Sequence, residues 1–155
     1  MRPTLKNFSA MKPISFSIKE GRFKLEASVR PLGPDLLVAV WGGTHPHIGA
    51  VALALPRPSL RDKKKTSATS SVLTLLGHKE DVTAKMISEA LAAALNQNVV
   101  VTAGIHWDNL KAEEIQCIVQ LTERLTRKII EKAGAPSPQP SPPKWGRGSR
   151  KGRKT

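Results

Sequence analysis

Alternating apolar and polar residues follow the first dozen positions of the chain. Ile14, Phe16 and Ile18 alternate with polar residues, and the same two-residue period resumes at residues 23–29 after a break at Gly21. A period of two is typical of a β-strand with one face toward solvent, and a glycine between two such runs indicates a turn. The pattern therefore predicts a β-hairpin with one solvent-facing side.

Continuous apolar runs come next, at residues 36–41 and 48–55. Runs of this kind predict strands that are covered on both faces. Pro56 and Pro58 are expected to end the second strand, and the polar segment that continues to Ser71 is expected to form a long, exposed loop. A further strand is predicted at residues 72–76, so five strands precede the first helix.

Helical periodicity begins at Asp81, which predicts a first helix. A β-branched run at residues 99–103 predicts one more strand after it. A second helix follows, and Asp108 or Asn109 is expected to cap its start. Apolar positions three and four apart mark one buried face on each helix. On the first helix they are Val82, Met86, Ile87, Ala90, Leu91, Ala94 and Leu95; on the second they are Ile115, Ile118, Val119, Leu121 or Thr122, Leu125, Ile129 and Ile130. Gly134 is expected to end the second helix.

The predicted order, β-β-β-β-β-α-β-α, is typical of an α+β two-layer sandwich, a largely antiparallel sheet with two helices on one face. The crossover from residues 72–76 through the first helix to residues 99–103 allows one parallel, right-handed pair. We assign residues 13–133 to this single domain. Residues 1–12 are expected to be poorly ordered, and residues 134–155, which are rich in proline and serine and then basic, to form a disordered tail.

Charge is concentrated in two segments. Of the formal net charge of +13, the tail contributes six positive charges and no acid, and the segment from Arg57 to Lys65 contributes a net four. The remaining three are spread over the rest of the chain, so the folded body is only mildly basic. Contact with nucleic acid is expected only as a non-specific property of the tail.

Cys117 is the single cysteine, which excludes an intrachain disulfide and a cysteine-based zinc cluster. Its neighbours suggest no base that would activate it, so we interpret it as a structural residue beside the apolar stripe of the second helix. No segment approaches the roughly 20 apolar residues of a membrane helix. A soluble protein in the reducing cytoplasm is therefore expected.

Three histidines, His45, His78 and His106, each follow a strand-like run, and His47 lies two residues after the first. If those strands point the same way, the histidines share one rim of the sheet, where ligand crevices are common. Three interpretations remain open from the residues alone. In the first the histidines close turns, in the second they bind a metal ion, and in the third they join the cationic Ser/Thr segment in a pocket for a phosphorylated ring compound.

Four stretches, GGTHPHIGAVALA, RPSLRDKKKTSATSSV, LLGHKED and VVVTAGIHWDN, resemble the LpdD-like prenylated-flavin chaperone domain, a small family associated with UbiD-type decarboxylases. The likeness runs from about residue 36 to residue 130. It implies binding of prenylated flavin mononucleotide (or FMN) and help in supplying that cofactor to a UbiD-type decarboxylase. Carried over by motif, the cofactor-binding candidates are His45, His47, Ser59, Arg61, Thr66, Ser67, Thr69, His78, His106 and Asp108.

Residue chemistry suggests roles for some of these candidates. Ser59, Arg61, Thr66 and Ser67 suit the phosphate, and His47 and His78 suit the polar edges of the flavin ring. No nucleophile–base pair is recognisable, so we assign no catalytic residue and no metal ligand, and a cofactor carrier is favoured over an enzyme. The alternatives are a metal-dependent small-molecule hydrolase that uses His45, His47 and His106, and a weak nucleic-acid binder that uses the basic tail. Self-association is left open.

Overall fold

The structure, a computed structural model, describes residues 12–134. Its eight elements occur in the predicted order and form one six-stranded sheet with two helices. They are β1 (Ile14–Glu20), β2 (Phe23–Leu32), β3 (Asp35–Gly43), β4 (Ala50–Pro58), β5 (Thr66–Thr74), α1 (Asp81–Leu95), β6 (Val99–His106) and α2 (Ala112–Ala133). The α+β class and the hairpin of β1 and β2 are confirmed. The expectations for the first residues and for the tail concern residues 1–11 and 135–155, which lie outside the described range.

The strands lie in the order β1-β2-β3-β6-β4-β5. Every neighbouring pair is antiparallel except β3 and β6, which are parallel from Leu36 opposite Val99 to Gly43 opposite His106. The prediction that the crossover pairs β5 with β6 is wrong, because β4 lies between them and bonds to both. The pairing nevertheless makes β3, β5 and β6 run in the same direction.

The predicted loop between Pro56 and Ser71 is instead most of a β-hairpin. β4 continues to Pro58, β5 begins at Thr66, and only residues 59–65 connect them. The prolines do not end the strand because β6 pairs with β4 only up to Ala54. Beyond that point β4 has β5 as its one neighbour, and proline is tolerated where one side of a strand has no hydrogen bonds to make.

One face of the sheet packs against both helices. α1 lies on β4, β5 and β6, while α2 lies on β1, β2 and α1. The alternating buried positions of the strands meet the helix residues in one core, whose largest fully buried side chains include Leu25, Val38, Val40, Ile87, Leu91, Val99, Val101, Leu121, Leu125 and Ile129. The predicted helix faces are thus confirmed at their centres.

The ends of both helices differ from expectation. Val82 is 70% exposed at the start of α1, and Ile115 and Val119 are about half exposed on α2. α2 begins after Lys111, so neither Asp108 nor Asn109 caps it; the Glu114 carboxylate accepts a hydrogen bond from the Lys111 backbone N–H at 3.0 Å instead. Gly134 ends α2 as predicted, with a positive φ of 71°.

The other face of the sheet has no layer over it within the described residues. Leu53 and Leu55 of β4 are 42% and 49% exposed, and Leu73 of β5 is 75% exposed. The prediction that the apolar runs of β3 and β4 are covered on both faces is therefore wrong: their alternate residues face the helices, and the others form an open apolar surface. Within residues 12–134, neither helix combines the length and the apolar character needed to cross a bilayer.

Candidate histidine site

All four histidines meet at one rim of the sheet, as the sequence predicted. Because β3, β5 and β6 share a direction, the segments after them emerge at the same edge. The ring centroids of His47 and His78 are 4.7 Å apart, and the His106 ring lies 6.2 Å from that of His47 and 6.3 Å from that of His45. We call this group, with Glu80, the histidine rim.

His47, His78 and Glu80 form the most compact part of the rim. The Nε2 atom of His47 lies 3.1 Å from Nδ1 of His78 and 3.1 Å from Oε1 of Glu80. Nδ1 of His78 is 3.5 Å from the other Glu80 carboxylate oxygen. Glu80 is buried, whereas both imidazoles are partly accessible. A buried carboxylate that faces two accessible imidazoles is suited to hold a cation or a protonated group.

The start of α1 reaches the rim because small residues let the helix lie close to the sheet. Ala84 of the helix meets Ala50, Ala52 and Ala103 of the central strands, and all four are fully buried. Glu80 occupies the N-cap position of this helix, at the end of the β5–α1 connection, and its side chain makes no capping hydrogen bond. The close approach therefore places its carboxylate beside the segment that links β3 to β4.

Two glycines allow the histidine segment to lie against the sheet and the carboxylate. A side chain at Gly104 would overlap the backbone carbonyl of His47, and a side chain at Gly49 would overlap the carboxylate of Glu80. The backbone carbonyl of His47 cannot move aside, so glycine at position 104 is a requirement of the packed rim. A side chain at Gly49 would instead displace the Glu80 carboxylate from its place beside His47.

His45 and His106 form a more exposed part of the rim. Nε2 of His106 is 3.0 Å from the Asp108 carboxylate, and Nδ1 of His45 is 3.0 Å from the Thr44 hydroxyl. Each imidazole is thus oriented by a neighbour in its own segment. Both rings leave other edges available to a ligand, since His45 and His106 are exposed.

The cationic Ser/Thr candidates lie elsewhere. Ser59, Arg61, Thr66 and Ser67 are at the tip of the β4–β5 hairpin, whereas β4 begins and β5 ends beside the histidines. Nine residues of β4 at about 3.3 Å each separate the two ends by roughly 25 Å. One copy of the chain therefore does not gather these residues and the histidines into a single pocket.

Local contacts occupy several residues of the hairpin. The Ser59 hydroxyl accepts hydrogen bonds from the backbone N–H groups of Arg61 and Asp62, at 3.3 and 3.4 Å. The Thr69 hydroxyl, partway along β5, accepts a hydrogen bond from the Arg57 side chain at 2.7 Å. Ser59 and Thr69 thus stabilise the hairpin itself.

Glu80 is the rim residue that the sequence analysis missed. The signal was present, because the segment GHKED places a carboxylate two residues after His78 and directly before the helix. The acidic residues there were interpreted only as the start of the helix. Its role at the rim depends on the distance between α1 and the sheet, which the local sequence does not encode.

Two further features lie outside the rim. Burial, reinforced by the negative charge of Glu20, raises the pKa of the Cys117 thiol, so a protonated, structural cysteine agrees with the prediction. A shallow groove of about 500 Å³ lies between β1 and the last turns of α2. It is lined by Ile14, Ser15, Phe16, Ser17, Lys128, Glu131 and Lys132. It includes none of the candidate residues.

Fold and site together define a single α+β domain that presents imidazoles at the rim of a six-stranded sheet. The structure is similar to a chain in the crystal structure of a novel chaperone complex for yeast 20S proteasome assembly, with a TM-score of 0.51, 16% identity, and coverage of 79% of this chain and 98% of that chain. At that level of identity the likeness concerns the fold.

Sequence comparison gives the family. The prenylated flavin chaperone LpdD-like domain matches residues 19–134, and this chain belongs to that family. Protein LpdD of Lactiplantibacillus plantarum (strain ATCC BAA-793 / NCIMB 8826 / WCFS1) is 27% identical over 116 residues, which cover 75% of this chain and 82% of that protein. The resemblance inferred from the four sequence stretches is thereby confirmed.

Proposed function

We propose that this protein binds prenylated flavin mononucleotide at the histidine rim and passes it to a UbiD-type decarboxylase. The family supports the class of ligand, and the observation that carries the site is the convergence of all four histidines from three separate segments at one edge of the sheet. A carrier needs reversible affinity for its ligand and no stabilised transition state.

The rim offers the two kinds of surface that such a cofactor needs. Imidazole nitrogens donate or accept hydrogen bonds according to tautomer, which suits the carbonyl and N–H edges of an isoalloxazine ring. Ile48 and Leu75 are about half exposed next to the histidines, and Leu76 is fully exposed. These side chains provide apolar surface for the ring that prenylation adds.

The position of the hairpin tip limits which candidate residues can contact the cofactor. Since Arg61 lies roughly 25 Å from the rim along β4, it cannot contact a flavin mononucleotide bound there by the same copy of the chain. In this proposal His45, His47, His78, His106 and Asp108 surround the cofactor. Ser59, Arg61, Thr66, Ser67 and Thr69 remain candidates only for a phosphate held by another copy.

The test is an absorption spectrum of the protein purified after co-expression with a flavin prenyltransferase. We expect bound chromophore with the unaltered chain and at least about tenfold weaker binding with His106→Ala, because that exposed imidazole lies beside His45 and His47 and bonds to Asp108. Arg61→Ala is the matched control, and its binding is expected to be unchanged. The holo-protein should also activate a cofactor-free UbiD-type decarboxylase.

Two results would overturn this assignment. A colourless protein that takes up no prenylated flavin would remove the proposed function. Loss of the chromophore with Arg61→Ala, combined with full retention by His106→Ala, would move the site to the hairpin tip. Circular dichroism of both variants would show that the fold is intact.

A further inference from the structure

We infer that His47, His78 and Glu80 form a binding site for a divalent first-row transition metal ion. This site goes beyond the proposed function and does not depend on it. The two imidazoles and the carboxylate each offer one ligand atom, and these atoms all lie within 4.8 Å of one another. The three residues come from the β3–β4 and β5–α1 connections, so the folded domain assembles the site.

The distances between the ligand atoms match those of a metal centre. Ligands at about 2.0–2.1 Å from a tetrahedral zinc ion are roughly 3.3 Å from each other. His47 Nε2 lies 3.1 Å from His78 Nδ1 and 3.1 Å from Glu80 Oε1, while the 3.5 Å contact of His78 Nδ1 is with the other carboxylate oxygen, Oε2. With one atom from each residue, the set lies within 4.8 Å, so a rotation of the carboxylate or of the His78 ring would bring all three groups around one ion.

Hydrogen bonding fixes which nitrogen of His47 is free. Its Nδ1 atom is 2.8 Å from the backbone carbonyl of His45, and a carbonyl can only accept, so Nδ1 carries the hydrogen. In the neutral imidazole, Nε2 then presents a lone pair toward the Glu80 carboxylate and toward His78. These lone pairs repel one another unless a proton or a cation lies between them, and a divalent ion satisfies all three.

The surroundings orient the ligands as in known metal sites. A ligating imidazole commonly donates its second N–H to a carbonyl, as His47 does to His45. The Glu80 carboxylate is held by the backbone N–H of Lys79 at 2.9 Å and by the close packing of Gly49. The Lys79 N–H bonds to Oε2 of Glu80, which leaves Oε1, the oxygen beside His47 Nε2, as the ligand atom for an ion.

The ligand set indicates the class of ion. Two imidazoles and one carboxylate suit zinc, iron, cobalt or nickel, whereas magnesium and calcium prefer oxygen ligands alone. Three protein ligands leave at least one position of a four-coordinate ion open. Because both histidines are partly accessible, that position is available to water or to an anionic oxygen of a ligand.

The experiment uses the full chain without a histidine tag, stripped with a chelator and kept free of flavin. Binding of Co²⁺ is monitored by visible absorption and binding of Zn²⁺ by calorimetry. Each titration should show one equivalent of metal ion bound per chain. Glu80→Gln, which preserves the shape of the side chain, and His78→Ala should weaken binding by more than the 10–100-fold typical of changes outside the ligand sphere.

His45→Ala and Asp108→Asn are the matched controls. They alter the same rim, but the His45 carbonyl that orients His47 is retained, and the hydrogen-bond partner of the Asp108 side chain among residues 12–134 is His106. Their metal affinity should equal that of the unaltered chain. Failure of the unaltered chain to bind either ion, or equal affinity in Glu80→Gln, would overturn the inference and leave a hydrogen-bonded cluster without a metal ion. Because no flavin is present, this outcome is independent of the cofactor test.

Discussion

At the residue scale, Glu89 shows how individual contacts set the pKa of a carboxyl group. Burial raises the pKa of its carboxyl, but the hydrogen bonds from Lys85 at 2.5 Å and Ser70 at 2.8 Å, together with the Lys85 charge, outweigh burial and leave the pKa below its ordinary value. The folded state therefore favours the ionised form. The group stabilises the fold above its unfolded pKa, about 4.3, and loses that effect as the pH falls through its folded value.

We predict that Glu89→Gln lowers the free energy of unfolding at pH 7 by less than about 1 kcal/mol, because the carboxylate is partly solvated. The difference between the two proteins should shrink below about pH 4, where the carboxylate of the unaltered chain becomes protonated. Thermal unfolding measured from pH 7 to pH 3 checks this. A difference that stays constant over the whole range would contradict it.

At the element scale, the two faces of the sheet contribute different amounts to the free energy of unfolding. Leu91 of α1 is fully buried in the core that α1 forms with the sheet, whereas Leu53 of β4 is 42% exposed on the open face. Truncating a buried leucine removes its transfer free energy and leaves a cavity; truncating an exposed leucine leaves no cavity.

We predict that Leu91→Ala costs about 2–5 kcal/mol of unfolding free energy and that Leu53→Ala costs less than about 1 kcal/mol. Denaturant unfolding of both variants provides the comparison. A large loss from Leu53→Ala would show that the open face is covered in solution. The same experiment at several protein concentrations would then separate a second copy of the chain from a contact within one copy.

Element type was predictable from the sequence because it follows from local periodicity. The alternation in β1 and β2, the β-branched run of β6 and the helical spacing of α1 each specify their element within a short window. The length of β4 was not predictable, since Pro56 and Pro58 end a central strand but are tolerated after β6 stops pairing. That depends on where a distant strand begins.

The histidine rim was predictable only in part, because its assembly also depends on how distant strands pair. Three histidines each follow a strand, but only the complete strand order shows that β3, β5 and β6 run in the same direction. The grouping with Ser59 and Arg61 failed because the intervening residues form two long paired strands that carry the hairpin tip to the opposite rim. The two groups are close in the sequence and were therefore expected to be in contact, but an extended strand holds its two ends far apart.

At the scale of the whole molecule, the segment that carries much of the net charge is different from the segment that forms the described core. The matched family region ends at residue 134, where Gly134 ends α2, and the residues after it carry six of the thirteen net positive charges. Within the described residues, the last buried member of the core is Ile129. Stability and basic character should therefore respond differently to truncation.

We predict that a chain ending at Gly134 keeps its thermal midpoint within about 2 °C, because the core of the described residues 12–134 lies entirely before that point. Its affinity for duplex DNA should fall, and the dependence of that affinity on salt should become weaker, since fewer phosphate contacts release fewer counterions. Calorimetry and a salt-dependent binding assay provide the measurements. Unchanged DNA affinity would assign the interaction to the β4–β5 hairpin.

The groove between β1 and α2 has a practical consequence for handling the protein. Ile14 and Lys132 line it together, and the opposite ends of β1 and α2, where Arg22 is paired with Glu114 at 2.8 Å, lie at the same edge of the sheet as the histidines. Both described termini therefore point away from the candidate site. Immobilising the domain on a sensor surface through either end of the described range should leave the imidazoles facing the solution.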